Sequence, residues 1–403
     1  MPAPRYTTQA VPDQALDVPF TPAFVHRVRF SSDVFAPANR VLASVVDTEP
    51  AHRTRVQAFV DQGLLEHWPD LPARIAGYIE SIPGAALAAS VRPILGGEEV
   101  KNHRTHLDGA LQAIHDAGLC RRSCVLAVGG GAVLDAVGLA AALAHRGVRL
   151  IRVPTTTLAQ ADSGVAVKCG INGFGKKNYL GVFAAPWAVI NDEGLLDSLS
   201  DRDWRAGFAE AVKVALVKDA GLFADIESRA DRIALRDPAL SIDIIRRSAI
   251  HHLRHITEGG DAFEVAQARP LDFGHWAAHR LESLSGYTLR HGEAVAIGIA
   301  IDTAYARLAR RISPLDASRI TDALLRLGFT LHHPLLRRTD DVMAGIDEFR
   351  EHLGGRLTIA ALSAIGRSAD IHAIDRTMMS DAVLSVAEMS LTRSAHPLDL
   401  AVP

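Results

Sequence analysis

Three histidines and one glutamate have the residue types and spacing that suit a divalent-metal site. His275 and His279 lie four residues apart, so they share one face if the segment is helical. His291 follows in the segment Arg-His-Gly-Glu, and Glu210 lies upstream. Two imidazoles and one carboxylate suit Zn²⁺ with an open coordination position for a substrate. Because the chain contains 18 histidines, the same spacing also fits capping or buried core residues.

Two glycine segments in the first half of the chain are typical of nucleotide binding. Gly129–Gly131 follow an apolar β-branched run and precede a helical pattern, so their amides can approach a pyrophosphate at a helix N-terminus. The segment is not the GxGxxG fingerprint, and a tight turn without a ligand is the alternative. Residues 96–101 (Gly-Gly-Glu-Glu-Val-Lys) form a second glycine turn, whose charges can face a nucleotide or solvent.

Hydroxyls and cations follow the next predicted strand. The run Arg152–Thr157 places threonines just after that strand, at the edge where α/β proteins bind ligands. Asp162, Lys168, Lys177 and Asn178 come next, in a glycine-rich loop that suits a phosphorylated substrate. A solvated basic loop is the alternative, and the position directly after the threonines favours binding.

Glu210 and Lys213 are charges in an almost entirely apolar helical pattern. A pair with this spacing is usually a salt bridge on a helix surface. The apolar flanks predict that both side chains are partly buried here, which calls for a partner such as a metal or a phosphate.

Composition excludes several classes of protein. With 403 residues, 48% hydrophobic and 22% charged, the chain is typical of a large globular α/β enzyme. A net charge of −3 and 5% aromatic residues argue against a nucleic-acid partner. Three cysteines supply neither a zinc site nor a disulfide framework and indicate free thiols in a reducing compartment. Without a signal-peptide pattern or an apolar run of about 20 residues, we expect a cytoplasmic protein.

The pattern of the chain changes near residue 199. We expect a flexible tail over residues 1–20, an α/β domain with a parallel sheet over 21–198, a helical domain over 199–390 and a second tail over 391–403. The predicted strands are Val41–Val46, Cys124–Val128 and Leu150–Val153. The predicted helices are Trp204–Lys218, Ala239–Ile256, Val295–Ala309 and Ala317–Leu327. Two such lobes imply a cleft between them.

Taken in order, these motifs resemble those of the sugar phosphate cyclases, typified by 3-dehydroquinate synthase. The shared motifs are Gly-Gly-Gly-x-x-x-Asp, His-Arg-Gly, Val-Pro-Thr-Thr, Asp-Ser-Gly, Lys-Asn, Ala-Glu-x-x-Lys, Phe-Gly-His-x-x-x-His and His-Gly-Glu, between about residues 95 and 300. The resemblance implies an N-terminal NAD-binding α/β domain and an all-α C-terminal domain that holds the metal.

The resemblance also assigns roles by position. It implies metal ligands at Glu210, His275 and His291. It implies NAD contacts at Asp47, Glu98, Lys101, Gly129, Gly130, Gly131, Asp135, Thr155, Thr156 and Asp192. It implies a substrate pocket that contains Asp162, Lys168, Lys177, Asn178, Lys213 and His279. Arg146 matches an arginine that in relatives reaches the phosphate site of the neighbouring subunit, so the resemblance implies a homodimer.

The chemistry that the resemblance implies begins and ends with the same cofactor. NAD⁺ transiently oxidises a secondary alcohol while Zn²⁺ or Co²⁺ polarises the oxygens involved. The new ketone acidifies the adjacent C–H bond, which allows phosphate to leave by elimination. Hydride return, ring opening and an intramolecular aldol addition then close a carbocycle. NAD is regenerated in each turnover, so no net redox change is expected.

Departures from the family pattern bear on the substrate. Dehydroquinate synthases have Asn where this chain has Asp272, and the arginine expected four residues earlier is Ala268, with Arg269 next to it. An added carboxylate disfavours a carboxylated substrate, so we expect a C7 sugar phosphate such as sedoheptulose 7-phosphate. The epi-valiolone synthases often have Pro in place of the second histidine, whereas this chain keeps His279. In this it is most similar to the cyclases of Ebo-type secondary-metabolism clusters.

Three other functions remain as alternatives. A true 3-dehydroquinate synthase would act on 3-deoxy-arabino-heptulosonate 7-phosphate. A metal-dependent alcohol or glycerol dehydrogenase shares the two-domain plan but would accumulate NADH, and the phosphate-binding set argues against it. A binding or scaffold protein that has lost activity is disfavoured by the intact metal and phosphate residues.

Overall fold

The structure is a computed structural model that describes residues 17–18, 20–48, 53–259, 262–263, 270–352 and 355–392. Its strands are β1 (Val28–Ser31), β2 (Thr54–Asp61), β3 (Ala85–Leu87), β4 (Arg92–Ile94), β5 (Cys124–Gly129), β6 (Arg149–Pro154), β7 (Lys168–Gly173), β8 (Lys176–Phe183), β9 (Ala188–Asp192), β10 (Ile359–Ala364) and β11 (Arg367–Ile371). Its helices are α1 (Gln62–His67), α2 (Leu71–Ser81), α3 (Glu99–Asn102), α4 (Arg104–Asp116), α5 (Gly131–Leu143), α6 (Thr157–Ala161), α7 (Asp201–Lys218), α8 (Ala220–Ala234), α9 (Pro238–Glu258), α10 (His275–Leu284), α11 (His291–Leu308), α12 (Pro314–Arg326), α13 (Thr339–His352) and α14 (Arg376–Thr392).

The first half of the chain builds one parallel sheet with helices on both faces. The strand order is β1-β9-β6-β5-β2-β3. The seventh strand, β4, also pairs directly with β2. Alternate residues of the central strands face different cores: Val56 and Ala58 of β2 pack in one, and Phe59 of the same strand packs in the other. The central strands β5, β6 and β9 are buried on both faces, as expected for a parallel sheet, and the carboxyl ends of the strands meet at one edge.

Two of the three predicted strands are confirmed, as β5 and β6. The prediction of a strand over Val41–Val46 is wrong. Those residues form turns, although Leu42, Val45 and Val46 are buried in the core. An apolar run of six residues shows that a segment is buried but not that it pairs, and the place beside β5 is taken by β2.

The predicted glycine-rich loop is an antiparallel hairpin formed by β7 and β8. Its turn residues Phe174 and Gly175 have φ angles of +53° and +73°, the conformation of a tight hairpin turn. The hairpin packs on α5, where a Cβ atom on Gly138 would lie 2.7 Å from the Sγ atom of Cys169. Lys177 and Asn178 are therefore held on a strand rather than on a free loop.

The second half of the chain is helical, as predicted. The four predicted helices correspond to α7, α9, α11 and α12, which pack with their neighbours around one apolar core. The two-stranded sheet β10–β11 is an addition to the predicted all-α domain. Among the described residues, none of the helices combines the length and hydropathy needed to cross a membrane.

Candidate active site between the sheet edge and the helical domain

The helices that carry the metal-ligand candidates approach each other at two glycines. A Cβ atom on Gly298 of α11 would lie 2.0 Å from the carbonyl oxygen of Gly274, so no larger residue fits there. Gly274 itself has φ +78°, in the left-handed region that favours glycine. This close approach places His275, the first residue of α10, beside His291, the first residue of α11.

Glu210, His275 and His291 come together as predicted. The Oε1 atom of Glu210 lies 3.5 Å from Nε2 of His275 and 3.2 Å from Nε2 of His291. One possible ligand atom from each residue lies within 4.8 Å of the other two. Glu210 is fully buried, and neither of its carboxylate oxygens accepts a hydrogen bond of normal geometry from the described residues. The ammonium of Lys213 supplies one positive charge beside Oε2, and Oε1 faces the two Nε2 atoms, where a metal cation fits.

The other ring nitrogens of both histidines are already engaged. Nδ1 of His275 lies 3.1 Å from the carbonyl oxygen of Phe273, which can only accept, so Nδ1 carries the proton. Nδ1 of His291 lies 3.0 Å from Oε2 of Glu282. Both Nε2 atoms are thereby directed at Glu210, the arrangement typical of histidines that bind zinc. The three residues fit a divalent metal with an open coordination position.

Glu282 is a site residue that the sequence reasoning missed. Its Oε1 atom lies 2.5 Å from Nζ of Lys177, and its exposed fraction is 3%. With His279 and His291 it forms a second group of possible metal ligands. Both oxygens of Glu282 accept hydrogen bonds, from Lys177 and His291, whereas neither oxygen of Glu210 does among the described residues, so the group with Glu210 is the better candidate. Helical spacing would have found it, because Glu282 lies seven residues after His275 and three after His279.

The predicted burial of Lys213 is confirmed, and its partners are carboxylates. Nζ lies 2.5 Å from Oε2 of Glu210 and 3.6 Å from Oδ1 of Asp162, and the side chain is 2% exposed. Burial would lower the pKa of Lys213, but the Asp162 and Glu210 carboxylates raise it well above its usual value. The same ammonium outweighs the effect of burial on Asp162 and Glu210 and holds the pKa of both carboxyls low. His252 of α9, which the sequence did not indicate, also contacts Asp162, with Nδ1 2.9 Å from Oδ1.

His279 and His291 differ in charge. Burial and the neighbouring His275 hold the pKa of His279 well below its usual value, so that ring is neutral. Burial opposes a charge on His291, but the Glu282 carboxylate outweighs it and raises the pKa of His291 to about 9. A bound divalent cation would replace the proton on Nε2 of His291, because metal ligands must be deprotonated.

The substrate-pocket candidates on the hairpin differ in their contacts with this centre. Lys177 reaches it from β8 through Glu282. Lys168 is the exposed first residue of β7, and Asn178 is on β8 with φ +55°. Asp272 ends a short 3₁₀ turn directly before α10 and is close enough to raise the pKa of Lys213. Ala268 and Arg269 lie outside the described residues.

The predicted glycine turn after β5 lies at the carboxyl edge of the sheet, where α5 begins at Gly131. Asp61, which the sequence reasoning missed, ends β2 beside this turn. Its Oδ1 accepts a hydrogen bond from the Gly63 amide at 3.0 Å, and burial raises its pKa. A Cβ atom on Gly96 would lie 2.1 Å from the same Oδ1, so only glycine leaves room for this carboxylate. The signal in the sequence was an apolar run that ends in an aspartate, Thr54–Asp61.

Asp47 lies away from the glycine turn, and its contact with NAD stays a prediction. Its Oδ2 atom lies 3.0 Å from the guanidinium of Arg149, the first residue of β6. Its carbonyl oxygen accepts a hydrogen bond from Thr54, the first residue of β2, at 2.7 Å. Both contacts place Asp47 at the amino edge of the sheet, whereas the glycine turn lies at the carboxyl edge.

The other predicted NAD contacts are at or near the carboxyl edge. Thr155 donates its amide to the Gly129 carbonyl at 3.0 Å, and Thr156 caps α6. The carboxylate of Asp192, at the end of β9, accepts hydrogen bonds from the amides of Asp33, Val34 and Gly194. The structure thus gives Asp192 a role in holding the chain, and its contact with NAD stays a prediction.

A polar network joins the predicted nucleotide and substrate residues. Nζ of Lys101, on α3, lies 2.9 Å from Oδ2 of Asp135 on α5 and also contacts Oδ1 of Asn178 on β8. Glu98 accepts a hydrogen bond from Asn172 of β7 at 3.0 Å. The lysine is 3% exposed, so these contacts fix the hairpin against the carboxyl edge of the sheet. This edge, with Gly129–Gly131 and Asp61, is called the nucleotide edge below.

Arg146 is another predicted residue that lies apart from the site. It follows α5, which begins at the carboxyl edge and extends away from it for 13 residues, about 20 Å. The side chain is exposed and the backbone has φ +62°. Arg146 therefore cannot contact a ligand bound in the site of its own chain.

Comparison with known proteins agrees with this geometry. Residues 92–206 match the family described as 3-dehydroquinate synthase N-terminal, and residues 207–348 match 3-dehydroquinate synthase C-terminal. A 3-dehydroquinate synthase of Nitrosospira multiformis is 38% identical over 283 residues, which are 69% of this chain and 75% of the relative. A 2-epi-5-epi-valiolone synthase of Streptomyces glaucescens is 32% identical over 353 residues, 87% of each chain.

A solved structure is similar over nearly its whole length. The 2-epi-5-epi-valiolone synthase ValA from Streptomyces hygroscopicus subsp. jinggangensis 5008, solved with NAD⁺ and Zn²⁺ bound, is 26% identical. It superposes with a TM-score of 0.83 over 93% of this chain and 99% of its own. The fold and site define a phosphate-eliminating carbon–oxygen lyase. The chain belongs to the 3-dehydroquinate synthase family of sugar phosphate cyclases, which confirms the predicted resemblance and two-domain fold.

Proposed function

We propose that this enzyme is an NAD- and divalent-metal-dependent cyclase that converts a C7 sugar phosphate without a carboxylate, of the sedoheptulose 7-phosphate type, to a carbocycle. The observation that carries the substrate class is the position of Asp272. Its carboxylate lies next to the pocket and acts on Lys213, which is already paired with Asp162 and Glu210. A substrate carboxylate at this point would meet three like charges around one shared ammonium.

The cofactor sites follow from the two groups of residues described above. Glu210, His275 and His291 would hold Zn²⁺ or Co²⁺, and the edge with Gly129–Gly131 and Asp61 would hold NAD. When bound, the metal supplies polarisation of substrate oxygens and NAD⁺ supplies a hydride acceptor. The solved valiolone synthase contains both NAD⁺ and Zn²⁺, which supports this proposal.

The remaining residues of the pocket bind and orient the substrate. Lys168, Lys177 and Asn178 offer donors to the phosphate from one side. His279, held neutral, can donate a hydrogen bond from one ring nitrogen and accept a proton at the other. Lys213 keeps its proton because its pKa is raised, so it acts as a donor and not as a base.

The experiment that tests the proposal measures phosphate release by the purified, metal-loaded protein with NAD. Sedoheptulose 7-phosphate and 3-deoxy-arabino-heptulosonate 7-phosphate are compared while NADH absorbance is followed. We expect release from the first without accumulation of NADH. Release from the second alone would make the enzyme a 3-dehydroquinate synthase, and stoichiometric NADH would make it a dehydrogenase.

The 3-dehydroquinate synthase activity is the second candidate, and two observations favour it. His279 stays in the site next to the metal-ligand candidates, with its ring centroid 5.4 Å from that of His275. The relative from Nitrosospira multiformis also carries that activity in its name.

We further propose that the active enzyme is a homodimer in which Arg146 reaches the phosphate site of the partner subunit. Its exposed position, far from the site of its own chain, supports this role. We place the domain division at residues 198 and 199, between the end of β9 and the start of α7. All three cysteines are free thiols, which supports the cytoplasm as its location.

A further inference from the structure

Glu282 connects side chains that come from the two halves of the chain. On one side, its Oε2 atom lies 3.0 Å from Nδ1 of His291 at the start of α11. On the other, its Oε1 atom lies 2.5 Å from Nζ of Lys177 on the hairpin. The carboxylate is buried, and the effect of burial on its pKa is outweighed by His291 and Lys177, which hold the pKa well below its usual value.

We propose that Glu282 is a positioning residue that fixes a metal ligand and an anion-binding lysine with one carboxylate. The inference rests on the proposed function in that it takes His291 as a ligand and Lys177 as part of the substrate pocket. Its consequence is that the metal centre and the cationic side of the pocket are set in one arrangement before the substrate binds.

The contact with His291 determines which nitrogen faces the metal site. A carboxylate accepts but does not donate, so Nδ1 must carry the proton and Nε2 is directed at Glu210. The hydrogen bond also fixes the ring orientation and makes the imidazole a more basic ligand. Without Glu282 the ring can turn, and either nitrogen can carry the proton.

The contact with Lys177 determines where the hairpin places its charge. The neighbouring ion pair, Lys176 with Glu351, has side chains that are 56% and 71% exposed, so it contributes little. The side chains of Lys177 and Glu282 are 16% and 4% exposed, so this pair, which joins the hairpin to α10, is screened much less by solvent and salt than the Lys176–Glu351 pair, which joins the hairpin to α13. A phosphate in the pocket therefore meets a lysine whose position is already set.

Metal binding in the absence of any substrate tests the first half of the proposal. Zn²⁺ affinity is measured by chelator competition, and Co²⁺ binding by its visible absorption, in Glu282→Ala and Glu282→Gln. We expect Glu282→Ala to bind about 10–100-fold more weakly, the usual effect of losing such a partner. Glu282→Gln should lose less, because its amide oxygen can still accept from Nδ1 of His291.

Arg280→Ala is the matched control on the same helix. Its guanidinium bonds the Asp341 carbonyl at 2.7 Å and Glu348 at 2.8 Å, away from the metal residues. It should lower the melting temperature and leave metal affinity unchanged. Wild-type metal affinity in folded Glu282→Ala would overturn the proposal, and so would an equal loss of affinity in Arg280→Ala.

Anion binding tests the second half. We expect Lys177→Met and Glu282→Gln each to raise KM for sedoheptulose 7-phosphate by about tenfold, with little further increase in the double variant. If the two substitutions raised KM independently, so that their effects added in the double variant, Glu282 and Lys177 would not act as one unit. If the wild type turns over neither sugar phosphate, the proposed function fails. In that case the metal-binding measurements still test the inference about Glu282. Anion binding is then measured by calorimetry with inorganic phosphate.

Discussion

The metal centre and the nucleotide edge are built from different parts of the chain. At the metal centre, side chains of three helices contact one another, and most of their polar atoms are paired before any ligand arrives. At the nucleotide edge, glycine turns and helix N-termini offer mainly backbone amides, and Asp61 is the carboxylate beside them. A site made of side chains can therefore be recognised from residue type and spacing. A site made of backbone is located only by knowing where strands end.

The largest expected effect separates the two possible metal groups. His275→Ala removes a ligand and should abolish metal binding and lower activity by about 10³-fold or more, since a catalytic metal contributes several kcal/mol. His279→Ala is the control: it should lose activity but keep its metal. Metal content and phosphate release measure both. Loss of the metal in His279→Ala with retention in His275→Ala would assign the centre to His279, Glu282 and His291 instead.

The contribution of Asp302, which holds the start of α10, to the free energy of unfolding is expected to depend on pH. Asp302 accepts hydrogen bonds from Nε1 of Trp276 and from the Gly274 amide, both at 2.8 Å, and burial raises its pKa to about 6. In the unfolded chain an aspartate titrates near pH 4, so between about pH 4 and 6 the folded state binds more protons. The free energy of unfolding should therefore fall as pH rises through this window, by up to about 3 kcal/mol from this group.

Denaturation of chelator-treated protein at several pH values, compared with Asp302→Asn, isolates that contribution. The advantage of the wild type over the variant should be largest below about pH 4 and decrease towards pH 6, because the variant lacks the titrating group. A difference in unfolding free energy that stays constant with pH would show that Asp302 does not titrate in this range.

The nucleotide edge is tested by two aspartates that the sequence did not distinguish. Asp61→Ala should weaken NAD binding by about 10–100-fold, the usual effect of losing a charged hydrogen-bond partner. Asp47→Ala, at the opposite edge, should leave NAD affinity unchanged. Titration of protein fluorescence with NAD measures both. Equal effects of the two substitutions would contradict the assignment of the carboxyl edge.

The smallest expected effect concerns the substrate. Asp272→Asn removes one of the carboxylates near Lys213 and should increase turnover of 3-deoxy-arabino-heptulosonate 7-phosphate by about fivefold, since a partly exposed charge contributes about 1 kcal/mol. Turnover of sedoheptulose 7-phosphate in the same variant is the reference. An unchanged ratio of the two rates would remove Asp272 as a determinant of specificity.

The helical half and the metal residues were the most predictable parts. The apolar spacing of α7, α9, α11 and α12 is long and periodic, and the ordered motifs identified Glu210, His275 and His291. Short segments were less predictable. Val41–Val46 has the composition of a strand but forms turns, and the glycine-rich segment after Asp162 forms a hairpin. Val41–Val46 stays unpaired because β2 takes the place beside β5, and the hairpin forms because β7 pairs with β8. Residue type alone reports neither pairing.

The sequence by itself determined the chemistry available to this protein: imidazoles and carboxylates for a metal, cations for a phosphate and glycines for a nucleotide. These follow from side-chain type and local spacing, which do not need the fold. The tertiary structure alone decided that Asp61 and not Asp47 lies at the nucleotide edge and that Glu282 contacts both His291 and Lys177. It also decided that Arg146 lies beyond the end of α5 that is far from its own site. Each of these depends on strand order or on the crossing of helices distant in the chain, which local spacing does not encode.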